Sequence, residues 1–229
     1  MFFYYDWTMI FLIPGILITF WAQMRVNSAY SKYSRVHARC GMTGAEVART
    51  MLEREGIYDV NIEIVGGKLT DHYDPSSRTL RLSQGVANST SLASLGVAAH
   101  ETGHALQHRD SYGPLVLRTA VVPTVNIGSS LSWPLVLLGM LFSWNPLIDL
   151  GILLFSLTVL FTLITLPVEF NASRRAVAAL ENGGFMTQDE LPGAKSVLNA
   201  AAMTYVAAAL TAVLQLLRLL ALTGRRRDD

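Results

Sequence analysis

Four stretches of this chain are apolar and almost free of charge, and each is long enough for a helix to cross a bilayer, which takes about 20 residues. We predict transmembrane helices at residues 1–24, 114–144, 148–168 and 197–222. The fourth stretch is the weakest of the set because it contains Gln215 and Arg218. The pattern predicts a mainly α-helical membrane protein with three to four transmembrane helices.

Aromatic residues and prolines refine the first two helices. Interfacial aromatic residues flank the first helix, namely Tyr4, Tyr5, Trp7 and Trp21. This helix lacks a basic start and a small-residue cleavage site, so we expect an uncleaved anchor. Pro123 and Pro134 interrupt the second stretch. They predict either a kinked span or a membrane-entering segment followed by a span.

Residues 25–113 have the pattern of a compact soluble segment. Thr43 and Glu46 form a capping box, which predicts a helix that ends near Gly56. After this helix, stretches with an alternating or extended pattern are separated by turns. They predict three strands, at 60–65, 68–73 and 78–82. We expect these strands to form a small antiparallel sheet. A polar loop with Asn88, Ser89 and Thr90 then offers N-caps for the next helix.

That next helix, predicted from Ser91 to His108, contains His100-Glu101-Thr102-Gly103-His104, an HExxH motif. Histidines four residues apart lie one turn apart on a helix, so both imidazoles can face one zinc ion. Glu101 then lies beside the metal and can act as a general base towards water. The alternative is that the two histidines are packed for structural reasons. The motif favours one zinc ion per chain.

The distribution of Lys and Arg indicates which side of the membrane carries this motif. Basic residues follow the first and third spans, as at Arg25 and Arg174, whereas the turn between the second and third spans has none. The positive-inside rule therefore places residues 25–113 and 169–196 in the cytosol. The tail at 223–229 disagrees, because its arginines would lie outside if the fourth helix crosses; that helix otherwise lies along the interface.

The HExxH helix and the sheet together predict a zincin-like α+β cytosolic face on the membrane protein. An edge strand of that sheet has a possible use, since it can pair with an extended peptide substrate through main-chain hydrogen bonds. Equally, the sheet can serve only to pack the helix. Catalytic zinc needs three protein ligands and one open position, so the motif alone leaves the site incomplete.

Two residues are candidates for the third ligand. His108 lies a further turn along the same helix, but the drift of about 40° per four residues carries it away from the metal. Glu169 follows the third span, and two crossings return the chain to the side that carries His100 and His104. From the residues alone, Glu169 is either the third ligand or an interfacial anchor at a helix end.

Composition excludes other classes of function. The net charge is +1, and the sequence has no basic stripe interleaved with aromatic residues of the kind that indicates nucleic-acid binding. The single cysteine, Cys40, excludes an internal disulfide and has no CxxC partner. A transporter would need ionisable residues within its spans, and residues 119–148 and 150–168 contain none.

The chain resembles the YugP-like family of bacterial membrane zinc metallopeptidases, and more distantly the HtpX class of membrane proteases. The motifs that carry the resemblance are Leu69-Thr70-Asp71-His72-Tyr73-Asp74-Pro75, Arg81-Leu82-Ser83, residues 99–104 and residues 167–176. The resemblance implies a zinc-dependent endopeptidase in which His100, His104 and Glu169 are the ligands and Glu101 is the general base. The HtpX pattern has an Asp where this chain has Ser173. Asn171 or Ser173 is expected to support a ligand histidine in its place.

Further residues are weaker candidates for substrate contact or support of the metal. They are His72, Asp74, His108 and Arg174. For the first two, the alternative is an Asp-Pro turn with polar flanks. For Arg174, as for Arg175 beside it, the alternative to substrate contact is a membrane anchor at a helix end.

We expect a multi-pass protein of the bacterial inner membrane whose active site faces the cytoplasm. Its expected partners are the lipid bilayer and peptide or membrane-protein substrates; no nucleic acid is expected, and the sequence leaves the oligomeric state open. The rival hypothesis is a catalytically silent zinc-binding scaffold. The presence of Glu101 argues against this rival, because metal binding alone requires no general base.

Overall fold

A computed structural model describes residues 7–224 of the chain, which divides into two compact units. Within the described residues, the helical unit comprises 7–22, 117–166 and 204–224. The mixed unit, which contains the sheet, comprises 23–116 and 167–203. The predictions made for Tyr4, Tyr5 and the arginines of the C-terminal tail fall outside the described residues.

Seven α-helices and three strands follow a short 3₁₀ turn at Trp7–Phe11 in the described chain. In order they are α1 Leu12–Tyr33, α2 Gly44–Arg54, β1 Asn61–Val65, β2 His72–Asp74, β3 Thr79–Ser83, α3 Gln84–Ala87, α4 Leu92–Arg109, α5 Gly113–Leu141, α6 Asn145–Asn182 and α7 Leu191–Gly224. The mainly α-helical class with a small sheet is thereby confirmed.

Four helical segments are long and apolar enough to cross a membrane. They are Trp7–Tyr33, Gly113–Leu141, Asn145–Asn182 and Leu191–Gly224. Large apolar side chains on α1 point outward, and Ile13, Ile16, Leu17 and Phe20 are each more than half exposed. Such a surface is unfavourable in water and favourable against lipid. The helices of this unit therefore have the exterior of membrane spans.

Small residues let the helices of the helical unit approach closely. A Cβ on Gly15 of α1 would lie 3.0 Å from Oγ1 of Thr211 on α7, and a Cβ on Gly151 of α6 would lie 2.8 Å from the Ser132 carbonyl oxygen on α5. Thr19 and Thr211 also place their hydroxyl oxygens 3.3 Å apart. Small residues and interhelical hydroxyls are typical of helix contacts in membranes.

The second apolar stretch forms one continuous helix, α5, which includes both Pro123 and Pro134. It is therefore not divided into a membrane-entering segment and a separate span. The third and fourth stretches are also longer as helices than their apolar cores, because α6 continues to Asn182 and α7 begins at Leu191. Helix α6 thus carries Glu169 within its regular structure.

The sheet is mixed, which corrects the antiparallel sheet expected from the sequence. The strand order is β1-β3-β2, with β1 parallel to β3 and β2 antiparallel to β3. The physical reason is burial: Leu80 and Leu82 of β3 are fully buried, so this strand takes the central position with a neighbour on each side. The chain therefore passes from β1 to the far side of β3 before β2 begins.

Helix ends follow the predicted chemistry at α2 and differ at α4. Thr43 and Glu46 form the predicted capping box of α2, and Gly56 follows that helix with φ +71°. The N-cap of α4 is Ser91, whose side chain accepts a hydrogen bond from the Ser94 amide. The loop at 88–90 was expected to provide that cap. Ser89 instead supports Ser91 through a side-chain hydrogen bond.

Helix α4 lies between two apolar clusters of the mixed unit. One face packs on α2 and the sheet, where Leu52, Leu82 and Ala98 are fully buried. Another face packs on α6 and the start of α7, where Leu95 and Leu180 are fully buried. The helix that carries the HExxH motif is therefore held on both sides within one unit.

Candidate metal centre

The HExxH motif lies at a close contact between α4 and α6. A Cβ added to Gly103 would stand 2.7 Å from the backbone oxygen of Ala172 on α6. Real Cβ atoms do not approach backbone so closely, so this position of the motif requires glycine. The contact brings the α6 turn that contains Glu169 against the turn that contains His100 and His104.

Three ligand-type side chains meet at this contact. Nε2 of His100 lies 3.2 Å from Oε2 of Glu169, and Nε2 of His104 lies 3.6 Å from the same oxygen. The ligand atoms of all three residues lie within 4.8 Å of one another. Among residues 7–224, no other group of three His, Cys, Asp or Glu side chains meets this criterion.

The donor set fits a zinc ion. Ligand atoms about 2.0–2.2 Å from a tetrahedral zinc are about 3.4 Å apart, close to the two separations found here. Two imidazoles and one carboxylate also leave a fourth position for water. A carboxylate as buried as that of Glu169, whose side chain is 3% exposed, requires partners of opposite charge or a metal. The residues present can therefore hold the metal that the sequence predicted.

Glu101 lies on the same helix between the two histidines and is nearly buried, with 9% of the residue exposed. The side chain of His100 is 13% exposed and that of His104 is 10% exposed. A partly shielded site of this kind strengthens electrostatic interactions while leaving an access for small molecules. This suits a carboxylate that exchanges protons with water.

The ring of His104 is supported by a buried amide. Its Nδ1 lies 2.9 Å from Oε1 of Gln107, which is fully buried. The Gln107 amide nitrogen donates to the Val168 carbonyl at 2.8 Å and to Oδ1 of Asn171 at 2.9 Å. Asn171 was predicted to support a ligand histidine, and the structure connects it to His104 through Gln107.

The same network continues from Asn171 to charged residues. Arg175 donates from Nε to Oδ1 of Asn171 at 2.9 Å and from Nη1 to Asp110. Arg109 donates to Asp110 and to Glu55. Hydrogen bonds from Arg109 and Arg175 lower the pKa of Asp110, so this carboxylate remains ionised beside them. The hydrogen-bond network that supports His104 therefore ends in charged residues that are held in ion pairs.

The ring of His100 is supported by a hydroxyl. Its Nδ1 lies 3.1 Å from Oγ of Ser173, one turn after Glu169 on α6. This is the position at which the sequence predicted a weaker substitute for an Asp. The structure brings Ser173 to His100, whereas it brings Asn171 to the network of His104.

The acidic neighbours of His104 raise its affinity for protons. Burial acts to lower the pKa of His104, but the hydrogen bond with Glu169 and the negative charges of Glu101 and Glu169 outweigh it, so this pKa is raised. A ligand imidazole must lose the proton on its coordinating nitrogen before it binds a metal. Metal binding at this site therefore competes with protons.

The β2 candidates belong to a hairpin that the described contacts account for without a ligand. Asp74 accepts hydrogen bonds from Ser76, Ser77 and Arg81, and the side-chain hydrogen bonds of these serines hold its pKa well below the ordinary range. His72 is exposed, and its Nδ1 lies 2.9 Å from the Thr70 carbonyl oxygen. Neither residue belongs to the metal-type cluster.

The remaining two candidates lie apart from the cluster as well. Nδ1 of His108 lies 2.8 Å from the hydroxyl of Tyr73 on β2, and burial raises the pKa of this tyrosine to about 12. His108 therefore joins α4 to β2. Arg174 is exposed on α6, while the adjacent Arg175 enters the His104 network.

Sequence reasoning missed Gln107 and the part that Arg175 plays in the His104 network. Gln107 lies three residues after His104, a spacing that places both side chains on neighbouring positions of one helix face. That spacing was the available signal. Arg175 lies four residues after Asn171 and was obscured by the general expectation of basic residues at the end of a span.

Comparison with known proteins gives two matches. A sequence model of the family described as "Putative neutral zinc metallopeptidase" matches residues 8–224. The chain is also 51% identical over 217 residues to a protein of Bacillus subtilis (strain 168) named "Putative membrane protease YugP". That alignment covers 95% of this chain and 96% of the relative. No solved structure gives a significant match.

Proposed function

Because the chain belongs to the family described as "Putative neutral zinc metallopeptidase", we propose that it is a membrane-embedded, zinc-dependent endopeptidase. The match confirms the resemblance to YugP-like proteins predicted from the motifs. The observation that carries the proposal is the meeting of His100, His104 and Glu169, with Glu101 on the same helix. These residues correspond to a gluzincin-like site with one zinc ion per chain.

In this proposal, Nε2 of His100, Nε2 of His104 and a carboxylate oxygen of Glu169 hold the metal. Bound zinc supplies Lewis-acid chemistry, lowering the pKa of water towards about 7 and polarising a peptide carbonyl. Glu101 takes the proton from the attacking water and delivers it to the leaving amine. Its low exposure keeps bulk water from competing for that proton. Gln107 and Ser173 hold the two imidazoles by their Nδ1 atoms.

The sheet offers a means to position the substrate backbone. In the strand order β1-β3-β2, strand β2 has β3 on one side, and its other edge is unpaired within the described residues. The hydrogen bond between Tyr73 and His108 ties β2 to the HExxH helix. An extended peptide that pairs with this edge would be held through main-chain atoms, which permits varied side chains.

We propose that the substrates are membrane proteins or membrane-proximal segments, cleaved at the cytoplasmic face of the bacterial inner membrane. Four membrane-length helices and the membrane-protease name of the relative support the association with membranes. The excess of Lys and Arg after the first and third spans supports the orientation. Glu169 follows closely after the membrane-length apolar stretch of α6, which supports membrane-proximal substrates.

The test compares the wild type with Glu101→Gln, both purified in detergent. We expect Glu101→Gln to keep its zinc and to lose at least about 100-fold in casein cleavage, because a general base contributes about 10²–10⁴-fold. Glu53→Gln, an exposed change on α2, is the matched control and should behave as wild type. Equal cleavage by Glu101→Gln and wild type would refute the proposal, and it would favour a zinc-binding scaffold whose cleavage activity is a contaminant.

A further inference from the structure

The contact with Arg175 identifies the hydrogen-bond direction in the His104 network. A guanidinium can only donate hydrogen bonds. The Asn171 atom that lies 2.9 Å from Nε of Arg175 must therefore be the oxygen. That same oxygen lies 2.9 Å from the Gln107 side chain, so the Gln107 atom facing it must be the amide nitrogen. The Val168 carbonyl, 2.8 Å away, requires the same orientation because it is also an acceptor.

The orientation of Gln107 in turn determines where His104 carries its proton. With its nitrogen directed at Asn171 and Val168, Gln107 presents its oxygen to Nδ1 of His104 at 2.9 Å. An amide oxygen accepts only, so Nδ1 must carry the hydrogen. The neutral imidazole has one protonated nitrogen, and Nε2 is therefore the atom with the free lone pair. It is also the nitrogen that lies 3.6 Å from Oε2 of Glu169.

We infer that Gln107, oriented by the Val168 carbonyl together with Asn171 and Arg175, is the positioning residue that fixes His104 in its metal-binding tautomer. The inference rests on the proposed metal site and adds to it a residue outside the HExxH motif. Gln107 has no exposed surface and all its partners are protein groups. Rotation of its amide would place two donor–acceptor mismatches in a buried space, at high energetic cost.

Two substitutions at Gln107 separate positioning from structural support. Gln107→Leu removes the acceptor for His104 together with both donors. Gln107→Glu keeps an acceptor for Nδ1 and removes the donors to Val168 and Asn171. It therefore destabilises the buried hydrogen-bond network while His104 still carries its proton on Nδ1. A purely structural role predicts that both variants lose zinc affinity in proportion to their loss of thermal stability. A positioning role predicts that zinc affinity follows the acceptor.

The experiment measures zinc affinity of the full chain in detergent by chelator competition, with thermal unfolding recorded alongside. We expect Gln107→Leu to weaken zinc binding about 10- to 100-fold, the usual effect of losing a partner of a ligand histidine. Gln107→Glu should weaken zinc binding by no more than about threefold despite a lower unfolding temperature, because Nδ1 keeps an acceptor. The visible spectrum of the cobalt-substituted protein should change in Gln107→Leu and not in Gln107→Glu.

Two controls separate failure of this inference from failure of the proposed function. Ser94→Ala removes another buried polar group of α4, distant in sequence from the ligands, and should leave zinc affinity unchanged. His104→Ala should abolish tight binding. Wild-type affinity in His104→Ala would refute the metal site itself. If His104→Ala binds zinc weakly but Gln107→Leu binds it as the wild type does, the positioning role alone is overturned. The same holds if Gln107→Glu folds but its zinc affinity falls more than tenfold.

Discussion

The two histidines of the motif are supported in different ways. His104 contacts a buried amide whose orientation is determined by a backbone carbonyl and an arginine. His100 contacts the hydroxyl of Ser173 at 3.1 Å. A hydroxyl rotates and can donate or accept, so it stabilises either tautomer of the ring. The two proposed ligands, one helical turn apart, therefore differ in how completely the protein orients them for a metal.

This difference teaches that a metal motif and its preorganisation are separate properties of the sequence. The spacing of His100 and His104 places both rings on one face of α4. The ring of His100 contacts Ser173 of α6 directly, whereas the ring of His104 contacts Gln107 of α4, which α6 orients through Val168 and Asn171. Changes at the contact between these helices should therefore affect both ligands, while changes at one support should affect one ligand.

The largest expected effect comes from Gly103→Ala, which should disturb the supports of both histidines at once. The added Cβ would meet the Ala172 backbone oxygen at 2.7 Å and force α4 and α6 apart, disturbing both supports. We expect a loss of about 1–3 kcal/mol in stability and a loss of zinc affinity greater than about 100-fold. Chelator competition and thermal unfolding measure the two effects.

Gly96→Ala is the matched control for that change. Gly96 also lies in α4, but the nearest atom that a Cβ there would meet is the Cβ of Ala194 at 3.4 Å, an ordinary contact. We expect this variant to bind zinc as the wild type does and to be as stable or slightly more stable, since alanine favours helix over glycine. If both alanine variants bound zinc equally well, the helix spacing would not determine the site.

An intermediate effect is expected when the weaker support is strengthened. Ser173→Asp places a carboxylate where the hydroxyl now contacts His100, giving a charge-assisted hydrogen bond to Nδ1. We expect zinc affinity to rise about tenfold. Ser173→Ala should lower it about threefold, as for one neutral hydrogen bond. A loss in Ser173→Ala as large as that in Gln107→Leu would contradict the difference between the two supports.

The smallest effect is expected at the outer end of the stronger support. Arg175→Met removes the donor that orients Asn171, but the Val168 carbonyl still orients Gln107. We expect zinc affinity to fall about twofold, because the direct partner of His104 is retained. The adjacent exposed arginine gives the control, and Arg174→Met should have no effect on zinc affinity. A tenfold loss in Arg175→Met would show that the guanidinium, not the carbonyl, holds Gln107.

Sequence periodicity and charge were sufficient for the parts of the molecule that depend on local spacing. The membrane-length helices, the α2 capping box and the placement of both histidines on one helix face follow from neighbouring residues. Glu169 required topology, since the two spans before it had to return the chain to the side of the motif. The structure brings it to the two histidines.

The remaining features depend on contacts between distant residues. Gln107 meets partners on α6 that are 61 and 64 residues away, and its role becomes visible only when α6 is in place. The predicted antiparallel pairing was wrong for β1 for a similar reason. Turn residues after β1 are compatible with a hairpin or a crossover, and the burial of β3 selects the crossover.

The glycine at position 103 also bears on how related sequences are sorted. A search that requires only two histidines and a glutamate at HExxH spacing accepts any residue at the fourth position of the motif. In this fold the close backbone of α6 makes that position informative. A homologue that keeps the histidines and the glutamate but carries a bulky residue there should be classified as one that no longer binds the metal, even though it satisfies the HExxH pattern.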